Sequence, residues 1–352
     1  MQKRREERCV NQHKKIILIG PGYTEDMKNA GGVTVLFEQM LEDLRESDVD
    51  FLAINSNKSA HGGSAKTFFV VMKTFLTNIR HYDHVSIHGT ANHYIMIAPF
   101  VIFFAKLFGK SVSLRKFAGN FDDIYEKGGV VKKALIRYVL RNADLSFFET
   151  KYLVAYFKKF NPNTFWFPNV RRRPQDTAPK SDFRHRFVYI SHLKDEKGTP
   201  ELLEACKRLD DRFDVTIYGP VHEAKYTPEY IAQYNTRYEG ALTPHEVVEK
   251  LKEADVLVLP SHREGYPGIV IEAYAAGRPV LVTDLPAIAE IVEEGKTGVL
   301  VEPKNVDALV EGFYKFTEEN YPQMSQNAYA AFAQFDSMPQ TEKFLERIEG
   351  LR

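Results

Sequence analysis

Apolar residues fall in short runs that alternate with longer amphipathic stretches along the whole chain. In the first half the runs "KIILIG" (15–20), "DFLAIN" (50–55), "HVSIHG" (84–89), "SVSLRKF" (111–117) and "LSFFET" (145–150) have strand length and strand composition. Between them, "GVTVLFEQMLEDLRE" (32–46) and "GVVKKALIRYVLRN" (129–142) space apolar residues three and four apart, as one face of a helix requires. The pattern restarts with "RFVYIS" (186–191), "FDVTIYG" (213–219), "ADVLVLPS" (254–261), "PVLVTD" (279–284) and "GVLVEP" (298–303). Apolar strands alternating with helices predict parallel sheets covered on both faces. The longest apolar run, "YIMIAPFVIFFAKLF" (94–108), is shorter than the roughly 20 residues of a spanning helix. It contains Pro99 and Lys106 and reads as a buried helix.

The two series are separated by "FPNVRRRPQDTAPKSDFRHR" (167–186), rich in proline and charge and poor in periodic apolar residues. The expected organisation is an N-terminal Rossmann-like domain over 1–170, a linker over 171–186, a C-terminal Rossmann-like domain over 187–335, and a final helix over 336–352 that packs back on the first domain. The fold class is α/β, with two facing doubly wound domains and an interdomain cleft. Ligands in such sheets bind beyond the carboxyl ends of the strands.

Composition bounds the class. With 352 residues, 44% of them hydrophobic, the chain can bury two cores of ordinary size. Net charge is zero, yet residues through Val170 hold 24 Lys+Arg against 16 Asp+Glu, and the remainder 23 against 31. The halves are therefore +8 and −8, a dipolar arrangement that directs the first half toward phosphates or an anionic surface, with uneven solvated faces as the alternative. Cys9 and Cys206 lack metal-ligand spacing, and the N-terminal "MQKRREERCVNQHKK" lacks the apolar core of a secretion signal. A cytoplasmic protein is expected. Lys133, Arg137 and Arg141 form a basic stripe every four residues, suited either to anionic lipid headgroups at the inner membrane face or to plain solvation. Nothing points to nucleic acid.

Chemistry concentrates after "ADVLVLPS". That buried strand runs into "HREGYPG", and "GIVIEAYAAG" reads as a helix starting near Gly268 and stopping at Gly277. A helix start attracts anionic oxygen such as a diphosphate. Glu264 and Glu272, separated by seven residues, are then better placed as acceptors for sugar and ribose hydroxyls than as phosphate ligands.

The segment "VLPSHREGYPGIVIEAYAAGRPVLVTDLPAIAEIVEEGKTGVLVEP" resembles the donor-site signature of family 4 retaining glycosyltransferases, with the E-x7-E pair at Glu264 and Glu272. Similar punctuation in "FPNV", "YISHLKDEKGTPELLEA", "VTIYGP" and "YEGALTPHEVVEKLKEADVLVLPS" extends the likeness over most of 165–320, and Gly31 and Gly32 opening the first helix also suit the family. The resemblance implies a glycosyltransferase B fold, a UDP- or GDP-linked sugar donor in the second domain, and a saccharide or lipid-linked acceptor in the first. It implies that Glu272 holds the ribose, that Glu264 contacts the transferred sugar, and that Gly265, Tyr266 and Gly268 approach sugar and diphosphate. Lys197 in "KDEKG" matches the lysine that neutralises the diphosphate.

Two positions depart from that pattern. His192 stands where the family commonly has arginine, so a second cation there is conditional on protonation. Ala118-Gly119 replaces the His-Gly often found near the acceptor, leaving Arg115, Lys116, Asn120 and Asp122 as acceptor contacts or as surface residues. His88 ends a strand and is either an acceptor contact or a satisfied core histidine. "DVD" (48–50) precedes a strand and reads as a turn, and no metal or other cofactor is called for. The expectation is a metal-independent transferase of surface polysaccharide or glycolipid synthesis. The alternatives are a sugar phosphorylase or epimerase on the same fold and a non-catalytic sugar-nucleotide-binding subunit. "GPGYTEDMKNAGG" after the first strand does not fit the dehydrogenase fingerprint.

Overall fold

The computed structural model describes residues 13–24, 31–117 and 119–351. Cys9, Ala118, the segment read for a secretion signal up to residue 12, and residues 25–30 of "GPGYTEDMKNAGG" lie outside them. The chain forms two compact units, Met1–Phe167 with Ser337–Arg352, and Pro168–Asp336.

The first unit is built on a parallel sheet in the order β2-β1-β3-β4-β5-β6. Its strands are β1 (Ile16–Gly20), β2 (Phe51–Asn55), β3 (His84–Gly89), β4 (Ser111–Lys116), β5 (Leu145–Phe148) and β6 (Thr164–Trp166). The period of two along β3 sends Val85 and Ile87 into a core with Val71, Phe75, Val101 and Ile136. His84, Ser86 and His88 point to the opposite face, where the ring of His88 meets those of Phe37 and Phe344. Buried polar groups need partners, and these form a chain: His84 Nε2 to Ser113 Oγ at 2.8 Å, Ser113 to Ser86 at 2.8 Å, and Ser86 to His88 Nε2 at 2.8 Å. The helix Ser337–Glu349 joins this unit, with Ser337 and Thr341 hydroxyls donating to the buried Asp43 carboxylate of the helix Gly32–Glu46 at 3.1 and 3.0 Å.

The second unit has the order β12-β11-β10-β7-β8-β9, again all parallel. Its strands are β7 (Arg186–Ile190), β8 (Asp214–Tyr218), β9 (Arg237–Tyr238), β10 (Val256–Leu259), β11 (Val280–Thr283) and β12 (Gly298–Val301). All four residues of β10 are buried; each such side chain removed from water contributes about 1.5–3 kcal/mol. The stretch read as a linker is tied to this unit: Lys180 Nζ and the Arg184 and Arg186 amides converge on the fully buried Asp255 carboxylate at 2.9–3.0 Å.

Two outcomes differ from the sequence reading. β6 and β9 are short edge strands whose side chains are mostly half-buried or exposed, too brief to give an alternating pattern. The run 94–108 is not one buried helix. It breaks at Ile97 into Ala91–Met96 and Ala98–Leu107 because Pro99 has no N–H to continue the first helix. Its Phe100, Phe103 and Leu107 face outward.

Candidate functional site

In the second unit the strand order reverses between β7 and β10, the switch point where doubly wound sheets bind ligands. The loops leaving these two neighbouring strands carry Lys197 and Glu264. Lys197 ends a 3-10 turn, Asp195–Lys197, followed by Gly198 at φ +70°. A Cβ at Gly198 would lie 1.9 Å from the Pro260 carbonyl oxygen, so the contact between the loops requires glycine on both steric and conformational grounds. That contact delivers Lys197 Nζ to 2.5 Å from Glu264 Oε1, with the two side chains only 23% and 9% exposed. Ser261 Oγ donates to the same oxygen at 2.7 Å.

Glu272 lies in the second turn of the helix Gly268–Ala275. Its Oε1 is 2.5 Å from Nε of Arg171. Arg171 is fixed in turn by Nη1 bonds to Asn169 Oδ1 at 2.5 Å and to the Val170 carbonyl at 2.9 Å, while Asn169 Nδ2 donates to the Tyr266 carbonyl at 3.1 Å. A Cβ at Gly268 would sit 2.1 Å from Arg171 Nη2, so glycine at the helix start makes room for the guanidinium. The Glu264–Glu272 loop therefore carries two carboxylates, each held by one cation, flanking the N-terminus of a helix. Gly265 is half-buried and Tyr266 buried beside it.

His192 stacks on His222 with ring centroids 4.7 Å apart. Burial first, then the neighbouring His222, Lys194 and Lys197, hold its pKa below the usual histidine value. The neutral imidazole is thereby favoured, so the position does not supply a second fixed charge.

The first-unit residues separate into two groups. His88, Arg115 and Lys116 are fully buried. The Arg115 guanidinium lies over the Phe167 ring at 3.5 Å, and Lys116 over Phe121 at 4.9 Å. Desolvation pushes Arg115 down to about 9 and Lys116 down to about 8, opposed in both by Glu149. His88 occupies a core position in which Nε2 bonds Ser86 Oγ and Nδ1 has no hydrogen-bond partner among the described residues, and none of the three presents its side chain at the surface here. Asn120 precedes the helix Phe121–Glu126 without a side-chain capping bond, and Asp122 accepts from Tyr152 Oη at 3.0 Å; both stay partly open. Gly31 and Gly32 open the helix Gly32–Glu46, and a Cβ on either would meet no described atom within 4 Å. In the basic stripe, Lys133 is paired with Glu126 at 3.2 Å and Arg141 lies 5.9 Å from the Phe160 ring.

Sequence reasoning missed Arg171 and Asn169, which sit in "PNVRRR" and were absorbed into the linker. It also missed a cavity of about 260 Å³ where the first sheet reverses between β1 and β3, lined among others by Pro21, Ser56, Phe68, His93, Met96 and Ile97. His93 Nδ1 accepts from the Thr90 amide at 3.3 Å, which places the ring proton on Nε2, 2.9 Å from Ser56 Oγ.

Residues 173–331 match the family model described as glycosyl transferases group 1. TuaC of Bacillus subtilis, named as a teichuronic acid biosynthesis glycosyltransferase, is 34% identical over 153 residues, 43% of this chain and 38% of that protein. A Campylobacter jejuni enzyme, named as an N,N'-diacetylbacillosaminyl-diphospho-undecaprenol alpha-1,3-N-acetylgalactosaminyltransferase, is 27% identical over 43% of this chain and 40% of its own length. The chain thus spans about two fifths of the length of these curated relatives. Among solved structures, Anabaena HepE in complex with UDP superposes with a TM-score of 0.73 at 14% identity, covering 96% of this chain and 100% of that one. The fold is that of the glycosyltransferase B class, two Rossmann-like domains in one chain.

Proposed function

We propose that the protein is a retaining, metal-independent glycosyltransferase of family 4. It moves a sugar from a UDP- or GDP-linked donor to a hydroxyl of a saccharide or lipid-linked acceptor, in surface polysaccharide or glycolipid synthesis. The observation that carries this reading is the pairing of Lys197 with Glu264 at the switch point of the second sheet. The group 1 family match spans this region, and relatives named for teichuronic acid synthesis and for transfer to a diphospho-undecaprenol-linked sugar support the product class.

In this reading the donor diphosphate lies at the start of the helix Gly268–Ala275, near Gly265, Tyr266 and Gly268, and takes Lys197 as its counter-charge. Glu264, released from that lysine, accepts hydroxyl protons of the transferred sugar, and Glu272 accepts those of the ribose. The bond between the anomeric carbon and the diphosphate oxygen breaks with its electron pair leaving on the diphosphate. The acceptor oxygen bonds to the same face of that carbon, and its proton passes to the departing phosphate oxygen. Lys197 and the helix N-terminus stabilise the charge as it develops, an effect that typically lowers the barrier by about 2.7–4 kcal/mol for one donor. The acceptor is assigned to the first unit, with Asn120 and Asp122 at its open strand ends, and Gly31 and Gly32 are assigned to the donor.

The test is nucleoside diphosphate release from UDP- and GDP-sugars with and without saccharide and lipid-linked acceptors. Acceptor-dependent release that falls about a hundredfold in Lys197→Ala supports the assignment. Conversion of a nucleotide sugar with no acceptor present identifies an epimerase instead, and tight binding without turnover on any acceptor identifies a binding subunit.

A further inference from the structure

The run 94–108 departs from a buried helix in a patterned way. Met96, Phe100, Phe103 and Leu107 follow one another at spacings of four, three and four, and so share one face of the broken helix. They are 48%, 49%, 56% and 68% exposed, and Phe69, on the adjoining helix Ser64–Asn78, is 71% exposed. The two helices pack together, and the ring of Phe68 meets that of Phe100 edge-on at 5.3 Å. Four large apolar side chains in register on an outward face mark an interaction surface.

Charge says with what. Of the eight Lys and Arg from Ser56 to Asn120, Arg115 and Lys116 are buried and Lys106 pairs with Asp144 at 2.6 Å, which leaves Lys58, Lys66, Lys73, Arg80 and Lys110 against one carboxylate, Asp83. Both helices lack acidic residues, and the exposed Lys66 and Lys73 share the helix of Phe69. Aromatic and aliphatic side chains set among cations, with no acidic residue on either helix, match the chemistry of an anionic bilayer surface, where rings enter the headgroup boundary and ammonium groups meet phosphates. We propose that the face formed by Met96, Phe100, Phe103, Leu107 and Phe69 docks on an anionic lipid bilayer. Met96 and Phe68 also line the cavity at the β1–β3 switch point, so the docked face opens toward a pocket that an amphiphile could enter. This contact differs from the basic stripe of Lys133, Arg137 and Arg141, and it stands whether or not the protein transfers sugars. Among the described residues no helix is long and apolar enough to cross a membrane, so the contact is with the surface.

The experiment is cosedimentation of the full chain with phosphatidylglycerol-containing vesicles and with pure phosphatidylcholine vesicles. The proposal expects pelleting with the anionic vesicles, a loss of binding of at least tenfold in Phe100→Asp/Phe103→Asp, and weaker, less salt-sensitive binding in Lys66→Glu/Lys73→Glu. Because all four positions are exposed, the thermal unfolding midpoint of each variant is expected to stay near that of the parent. Three results would overturn it: parent protein that stays in the supernatant with anionic vesicles, a Phe100/Phe103 variant that pellets as the parent does, or a parent dimer in light scattering that the same variant dissolves while vesicles bind neither.

Discussion

Arg171 Nε lies 2.5 Å from Glu272 Oε1, and its Nη2 occupies the space that a Cβ on Gly268 would need. One guanidinium therefore sets both the rotamer of the carboxylate assigned to the ribose and the residue permitted at the helix start. Gly268→Ala is expected to displace Arg171 and weaken nucleoside diphosphate binding roughly tenfold, about 1.4 kcal/mol. Arg171→Ala is expected to do the same by releasing Glu272. Because both act through one contact, the double variant should lose little more than either single one, which calorimetric titration in a double-mutant cycle measures.

Burial first, then the neighbouring His222, Lys194 and Lys197, disfavour the protonated form of His192. A bound diphosphate favours that form. Nucleotide affinity of the parent is accordingly expected to rise as pH falls through the histidine range. His192→Arg supplies the charge permanently, and should bind nucleoside diphosphates roughly tenfold more tightly at pH 7.5 with little pH dependence of its own. Titrations at pH 5.5, 6.5 and 7.5 separate the two curves.

Stability carries its own pH signature. Burial holds His93 at about 4 and His84 at about 3, against an unfolded value near 6.5. A histidine depressed in the folded state takes up its proton only on unfolding at intermediate pH. The stabilisation it gives is full above 6.5 and is lost as pH falls from 6.5 toward 4. The melting temperature should therefore fall across this window, and His93→Gln should flatten the fall by about one proton's worth. Differential scanning calorimetry from pH 7.5 to 4 reads both slopes.

Much of the fold is legible in the sequence because buried parallel strands are short, uniformly apolar and regularly spaced. Every proposed strand has a counterpart, and the helix Gly32–Glu46 has the bounds that its spacing predicts. The edge strands β6 and β9 leave no such trace because edge positions need not bury both faces. Glu264 could be placed by its position after an apolar run, since strand ends in a doubly wound sheet converge, whereas Lys197 rests on the resemblance of "KDEKG" to the family. Arg171 could not: its partner is 101 residues away, and a charged, proline-rich segment looks the same whether it is solvated or seated. The buried state of Arg115 and Lys116 was hidden for a related reason, and a core position for His88 was one of two readings open to the sequence. Period-two alternation marks which face a residue is on, but not that His84, Ser113, Ser86 and His88 are linked in one hydrogen-bonded chain beneath the helices Gly32–Glu46 and Ser337–Glu349.

In the proposed function Glu264 and Glu272 bind different parts of one nucleotide sugar. The decisive measurement is titration of the parent, Glu264→Ala and Glu272→Ala proteins with a nucleoside diphosphate and its sugar conjugate, in the UDP and GDP series. Glu272→Ala is expected to weaken both ligands by about tenfold, whereas Glu264→Ala is expected to weaken the sugar conjugate and leave the free diphosphate nearly unchanged. Affinities equal to the parent's in both variants would contradict it.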